Sequence, residues 1–293
     1  MVLLIPQVTN LLLQFLDSFG FLILAAIGLA VIFGMMGVIN LAHGEFITVG
    51  AYGTALSYNA GVPLPVAMAI GVAVTTVFGL ILEFTIIRRL YGRLLDSMVA
   101  TWGISLIIIQ GLRVIFGSSL PSIGTPLGSI QYAGYSYSSY RLLLAGVSLL
   151  LLAVLYWMFT KTKFGTHARA TIQNEEMSRA LGVNTNRMYL LTFGIGSALA
   201  GLTGALYAPT MTIVPGMGST FLVEAFVTVV VGGTSVLIGT TGAGLVLGAI
   251  NAIFSNLFGT FAGRMALLLT TILVIRLLPQ GITGFIESLK RVS

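Results

Sequence analysis

The sequence holds no cysteine, only two histidines, and few charges: 8% of its 293 residues. Without cysteine there are no disulfides, no thiolate chemistry and no cysteine-ligated metal. His43 and His167 alone cannot build a zinc site of several histidines, and a heme with two histidine ligands is equally unsupported. No glycine-rich phosphate loop ending in Lys and Ser or Thr occurs, so the chain does not bind and split ATP by the usual route. Gly103-Ile104-Ser105 does not complete a nucleophile elbow, and only His43 could serve a serine within a span. No catalytic residue and no metal site is expected.

The scarcity of charge also excludes a soluble fold. A soluble domain carries roughly a quarter of its residues as Asp, Glu, Lys or Arg. Here 14 basic and 8 acidic side chains stand in a chain that is 57% hydrophobic with mean hydropathy +1.03. The bilayer must be the solvent for most of it. At about 20 apolar residues per crossing, there is room for eight or nine spans. The expected fold is all-α, a polytopic membrane helix bundle of about eight to nine transmembrane or re-entrant segments. It forms a single membrane domain over 1–293, with no linker or low-complexity tract.

What charge there is reports sidedness. Eleven of the 14 basic residues fall in three stretches: Arg88, Arg89 and Arg93; Lys161, Lys163, Arg169, Arg179 and Arg187; and Arg276, Lys290 and Arg291. Basic loops resist translocation, so these mark the cytoplasmic side. The connection 117–140 has no charge and carries Tyr132, Tyr135, Tyr137 and Tyr140, suited to an interfacial belt outside. The basic excess is therefore a topology signal, not one for nucleic acid. Segments at roughly 19–39, 45–60, 64–87, 98–116, 142–160, 188–208, 219–238, 241–258 and 264–280 fit these anchors. The second is short and polar and could be re-entrant. The odd count puts the N-terminus outside and the C-terminus inside. The first apolar run lacks a basic n-region and does not read as a cleavable signal.

Glycine is abundant, at 36 residues. Small residues let membrane helices approach closely, which is the expected role of Gly244 and Gly248 and of Gly196, Ala200 and Gly204. Hinging for gating is the other reading of these glycines.

Ionisable residues at bilayer depth cost several kcal/mol unless paired or wet, and they usually face a cavity or the bundle interior. The densest polar spot is Asn40-Leu41-Ala42-His43-Gly44-Glu45, flanked by Gly37 and Gly50 in a composition that suits a broken helix. Asn40, His43 and Glu45 read as contacts on a substrate path, or as a structural clasp. Thr101 and Ser105 share a helical face, with Trp102 adjacent, and could line a conduit or bond between helices. Glu224 follows a Pro-Gly turn and reads as a helix N-terminal acid or a substrate contact. Glu83 is placed to pair with Arg88 or Arg89. Arg113 and Arg264 sit near outer span ends, where they could reach headgroups.

The hydrophilic stretch 161–187 contains a short helix over 168–183, with Ile172, Met177, Ala180 and Leu181 giving an apolar face and Gly182 ending it. Asn184 or Thr185 can cap the next span. Such a helix suits a partner groove or the membrane surface.

Residues Gly34 to Glu45 resemble a signature of the branched-chain amino acid and urea family of ABC importer permeases. Arg179-Ala180-Leu181-Gly182-Val183-Asn184-Thr185, Val229 to Gly233, and Leu278-Pro279-Gln280-Gly281-Ile282 are similar to further family segments, in the same order. The resemblance implies a homologous second permease subunit, two cytoplasmic ATP-binding subunits and an external solute-binding protein. It puts ATP and Mg on the ATPase partners and no cofactor on this chain. It makes 161–187 the coupling segment, with Arg169, Ile172, Asn174, Glu175, Met177, Ala180, Leu181 and Gly182 at the ATPase contact. The implied location is the bacterial inner membrane. Ala100 to Leu106 and Ile172-Gln173-Asn174 look more similar to the urea and short-chain amide permeases, so urea or an amide is the expected solute, with branched-chain or other amino acids as the alternative. A proton-coupled carrier titrating Glu45 and Glu224, or a passive urea-type channel, are more distant readings.

Overall fold

Long apolar runs punctuated by proline and glycine fold into helices joined by short turns. The computed structural model describes residues 4–132, 135–233 and 235–285. Lys290 and Arg291, used above as inner anchors, lie outside the described residues. In chain order the elements are α1 (Leu4–Met36), α2 (His43–Asn59), α3 (Leu64–Thr85), α4 (Leu94–Phe116), β1 (Ser129–Tyr132), β2 (Tyr135–Ser138) and α5 (Ser139–Lys161). Then follow α6 (Lys163–Gln173), α7 (Glu175–Ala180), α8 (Thr185–Tyr207), α9 (Gly218–Gly232), α10 (Ile238–Phe258) and α11 (Thr260–Leu277). The two strands make an antiparallel hairpin pairing Ser129 with Ser138 and Tyr132 with Tyr135. The fold is the all-α polytopic bundle expected, with seven helices among the described residues long and apolar enough to cross a membrane.

Two features differ from the sequence reading. The first helix begins at Leu4 rather than near residue 19. Its early turns carry Asn10, Gln14 and Asp17, which interrupt the apolar run but are accommodated inside the fold: Asp17 pairs with Arg141. Secondly, α2 and α9 are only 17 and 15 residues long, about 25 and 22 Å at 1.5 Å per residue. Neither reaches the ~30 Å of the hydrocarbon core unaided.

The described residues fall into two compact units. One draws on Met1–Ala26, Thr125–Ala153 and Glu224–Ser293, and its core gathers Leu22, Val231, Ala243, Leu247 and Leu267. Gly244 and Gly248 of α10 lie against Phe19 and Ile23 of α1, so this small-residue pair is a packing face. Gly232 and Gly233 approach Gly239 and Gly281, and the Thr283 hydroxyl donates to the Gly232 carbonyl at 2.6 Å. Two segments far apart in sequence, 229–233 and 278–282, thus close on each other.

The other unit comprises Ile27–Gly124 and Val154–Val223. Here α2, α3 and α8 pack backbone to backbone. A Cβ on Gly50 would lie 2.4 Å from the Gly201 carbonyl oxygen, and one on Gly71 2.4 Å from that of Gly50. Phe46 of α2 fills the space between, edge-on to both Phe78 and Phe193. Lipid-facing apolar side chains cover the remaining faces: α4 buries little beyond Ser97, Thr101, Ile104 and Ser105. Hydrophobic on its outside and polar on its buried stripe, α4 inverts the pattern of a soluble helix, as a bilayer solvent demands.

Candidate functional site

The break between α1 and α2 sits at the densest polar spot of the sequence. Helix α1 stops at Met36 because Gly37 adopts φ +61°, a left-handed turn that glycine enters without strain, and its N–H closes on the Phe33 carbonyl. Asn40 Oδ1 then accepts from the Ala42 N–H at 3.0 Å, folding the chain back to start α2 at His43. From α4, the Thr101 hydroxyl accepts from the Leu41 N–H at 3.0 Å and donates to the Ser97 carbonyl at 2.7 Å. One turn on, Ser105 hydrogen-bonds the Glu45 carboxylate. Asn40, His43, Glu45, Thr101 and Ser105 are all buried, His43 beside Gly28 of α1.

This cluster keeps unused polar capacity. Asn40 Nδ2 and Glu45 Oε2 are buried without a hydrogen-bond partner. A polar group left so costs about 1–3 kcal/mol unless water or a solute bonds it. Trp102 is not brought to it. One residue round the helix from Thr101, it is 56% exposed on the outward face.

The hydrophilic segment is two helices rather than the one expected over 168–183. Asn174 is extended at φ −158°, and its Oδ1 accepts from the Met177 N–H at 2.9 Å, so it ends α6 and caps α7. Its short amide competes with the helical backbone at this point. Arg169 donates to the Phe159 carbonyl and folds α6 back on the end of α5. Past α7, Gly182 takes φ +86°, and the Val183 N–H bonds the Ser178 carbonyl at 2.9 Å. That closes the helix as a Schellman turn. Asn184 Oδ1 then caps α8 through the Arg187 N–H at 3.0 Å.

Three apolar residues on this segment, Ile172, Met177 and Leu181, face outward, Leu181 at 77% exposure. Ala180 and Asn174 are exposed beside them. Glu175 turns inward instead. Its carboxylate takes Arg179, the Thr185 hydroxyl at 3.3 Å and the Tyr189 hydroxyl at 3.2 Å. Tyr189 packs on Tyr91, ring centroids 4.7 Å apart. Tyr91 in turn donates to Glu83 of α3, which Arg88 holds at 3.4 Å as the sequence predicts. Burial, reinforced by the hydrogen bond to Glu83, pushes the Tyr91 hydroxyl far above its ordinary range, so it stays a donor. A continuous chain of contacts thus runs from α7 through α8 into α3. Sequence reading missed its middle, because Tyr91 and Tyr189 look like ordinary interfacial aromatics.

Glu224 belongs to the other unit. It sits at the seventh residue of α9, with no acid in the first turn, so a helix N-terminal role does not apply. Its partner is Arg264, 3.3 Å away. The pair lines a cavity of about 590 Å³ together with Asp17, Arg141, Tyr137 and Gln14. Burial and the Asp17 charge push the Tyr137 hydroxyl up to about 12. Asp17 and Arg141 lie 2.8 Å apart though 124 positions separate them, so no local spacing could have signalled the pair.

The family described as the permease component of the branched-chain amino acid transport system matches residues 11–278. The chain belongs to this permease family. The high-affinity branched-chain amino acid transport system permease protein BraD of Pseudomonas aeruginosa is 29% identical over 89% of this chain and 91% of its own. A probable branched-chain amino acid transport permease protein LivH of Methanocaldococcus jannaschii is 28% identical over 90% and 88%. The autoinducer 2 import system permease protein LsrC of Salmonella paratyphi B is 28% identical over 66% of this chain and 53% of its own. No solved structure matches the chain. In this permease the broken α1–α2 junction, the buried stripe of α4 and the outward apolar residues of α6–α7 are the features that could carry transport.

Proposed function

We propose that the chain is the membrane-spanning permease subunit of an ATP-driven importer that carries amino acids, branched-chain ones foremost, into the cytoplasm. The observation that carries this reading is the family match over residues 11–278, joined by relatives named for branched-chain amino acids along nearly their whole length. Neither of those relatives is named for urea, so the amino-acid alternative displaces the urea lean drawn from 100–106 and 172–174.

The whole chain acts as one permease domain, beside a homologous second permease subunit. Two cytoplasmic ATP-binding subunits supply the energy, with ATP and Mg held on them, and an external binding protein delivers the solute. The basic stretches share one side only if α9 crosses along with the longer helices; α2 precedes all three stretches, and its crossing puts the N-terminus outside. Residues 37–42 and 211–217 then make up the missing length, and buried irregular backbone is tolerated at that depth. On this topology α6 and α7 are cytoplasmic, and Ile172, Met177 and Leu181 form the knob that seats in an ATPase groove. Nucleotide-driven closure reaches α3 through Glu175, Tyr189, Tyr91 and Glu83, and biases the permease between outward- and inward-open states. Solute passes near Asn40, Glu45, Thr101 and Ser105.

Uptake of labelled leucine by cells expressing the chain with its native partner subunits tests the substrate. Excess unlabelled branched-chain amino acid is expected to abolish the signal while urea and acetamide leave it intact. Competition by urea alone would reverse the assignment.

A further inference from the structure

In the 590 Å³ cavity of the α10–α11 unit, two carboxylates and two guanidiniums line a common open volume. Arg141 reaches Asp17 through Nη1, and Arg264 reaches Glu224 through Nε. Each contact engages one nitrogen of a group with five N–H donors, so both forks keep donors for a further carboxylate. Neither guanidinium is packed away: the side chains of Arg141 and Arg264 are 52% and 47% exposed.

Two more groups in the same cavity lack partners. Gln14 Oε1 and Ser138 Oγ are buried without a hydrogen bond, an arrangement that costs stability unless something bonds them in a working state. Phe21 and Leu267 supply an apolar wall. The volume falls within the roughly 300–1,000 Å³ of small-ligand sites. The charges balance, two of each sign. A lone anion drawn to the arginines meets Asp17 and Glu224, and a lone cation meets the converse, whereas a ligand bearing both signs is matched at both ends.

We infer that this cavity binds the main-chain carboxylate and ammonium of a free amino acid, the carboxylate on Arg264 and Arg141, the ammonium on Glu224 and Asp17. The inference rests on the amino-acid reading of the transported solute and adds to it a site in this chain. The aliphatic side chain lies along Phe21 and Leu267. On the topology above, hairpin residues Ser136 and Ser138 put the cavity toward the external side, where solute leaves the binding protein.

The test uses the complete importer, reconstituted in lipid nanodiscs without its binding protein, with L-leucine as probe and two single-charge analogues: 4-methylpentanoate, which lacks the ammonium, and L-leucinamide, which lacks the carboxylate. Leucine is expected to bind, and each analogue to bind about tenfold more weakly or worse, since each loses charge-assisted hydrogen bonds. Arg264→Gln and Arg141→Gln are each expected to weaken leucine by a similar factor. Equal binding of leucine and 4-methylpentanoate, or undiminished leucine binding by both variants, would overturn the site. The analogue comparison needs only the unaltered protein, so it stands even where a variant fails to fold. Full leucine import, measured with the binding protein in proteoliposomes, by an assembly that shows no leucine binding in nanodiscs would overturn the site and leave the transport reading intact. Failure to import any amino acid would remove both.

Discussion

Gly204 has no room for a side chain: a Cβ there would stand 1.8 Å from the Ile47 carbonyl oxygen. Gly103, on the lipid-facing part of α4, has nothing within 4 Å. The two therefore predict opposite outcomes for one substitution. Gly204→Ala forces α2 and α8 apart and is expected to cost about 1–3 kcal/mol, as overpacking of a close-packed interior does. Gly103→Ala relieves a flexible helix position and is expected to be neutral or to stabilise by about 0.5–1 kcal/mol. Thermal unfolding of the purified protein in one detergent compares them. Equal melting of the two variants would contradict the backbone-contact account of the glycine ladder. The polar residues follow the same logic at lower cost. Thr101 serves the Leu41 N–H and Ser105 serves Glu45, so the face they share was legible from their spacing of four. Trp102 shows the limit of that reading, because adjacency in sequence turns a side chain by about 100° on a helix.

At the scale of elements, α6 and α7 separate into an outward face and an inward network. Leu181→Asp places a charge on the apolar knob and is expected to abolish ATPase association and uptake while membrane insertion stays intact. Tyr91→Phe removes the hydroxyl that reaches Glu83 and is expected to leave ATPase association intact while lowering solute moved per ATP hydrolysed. Co-purification together with paired uptake and ATPase rates distinguishes the two. Stimulated ATPase activity retained in Leu181→Asp would sink the docking face, and unchanged coupling in Tyr91→Phe would remove the relay. How far such elements were legible depends on which forces set them. Gly37, Asn40 and Gly44 announced the break between α1 and α2, because turn chemistry is local. The split at Asn174 was hidden, since 168–183 carries good helix formers and only the amide cap on Met177 N–H breaks the run. The early start of α1 was hidden too: Gln14 and Asp17 interrupt its apolar run, and the group that accommodates Asp17 is Arg141, far along the chain.

At the scale of the whole molecule, low charge and long apolar runs dictated a polytopic bundle, and the helix boundaries largely followed from proline and glycine. What brings Glu224 to Arg264, or Glu175 to Tyr189, is tertiary and left no periodic trace. The central claim is that this bundle moves solute with energy supplied by partner ATPases, and one measurement addresses it directly. Proteoliposomes containing the chain with its partner subunits, loaded with ATP and Mg on the ATPase side and supplied with the binding protein, are assayed for leucine accumulation. Accumulation is predicted to require ATP and to persist when a protonophore dissipates the proton gradient. Accumulation that continues without the ATPase subunits and collapses with the proton gradient would contradict the account.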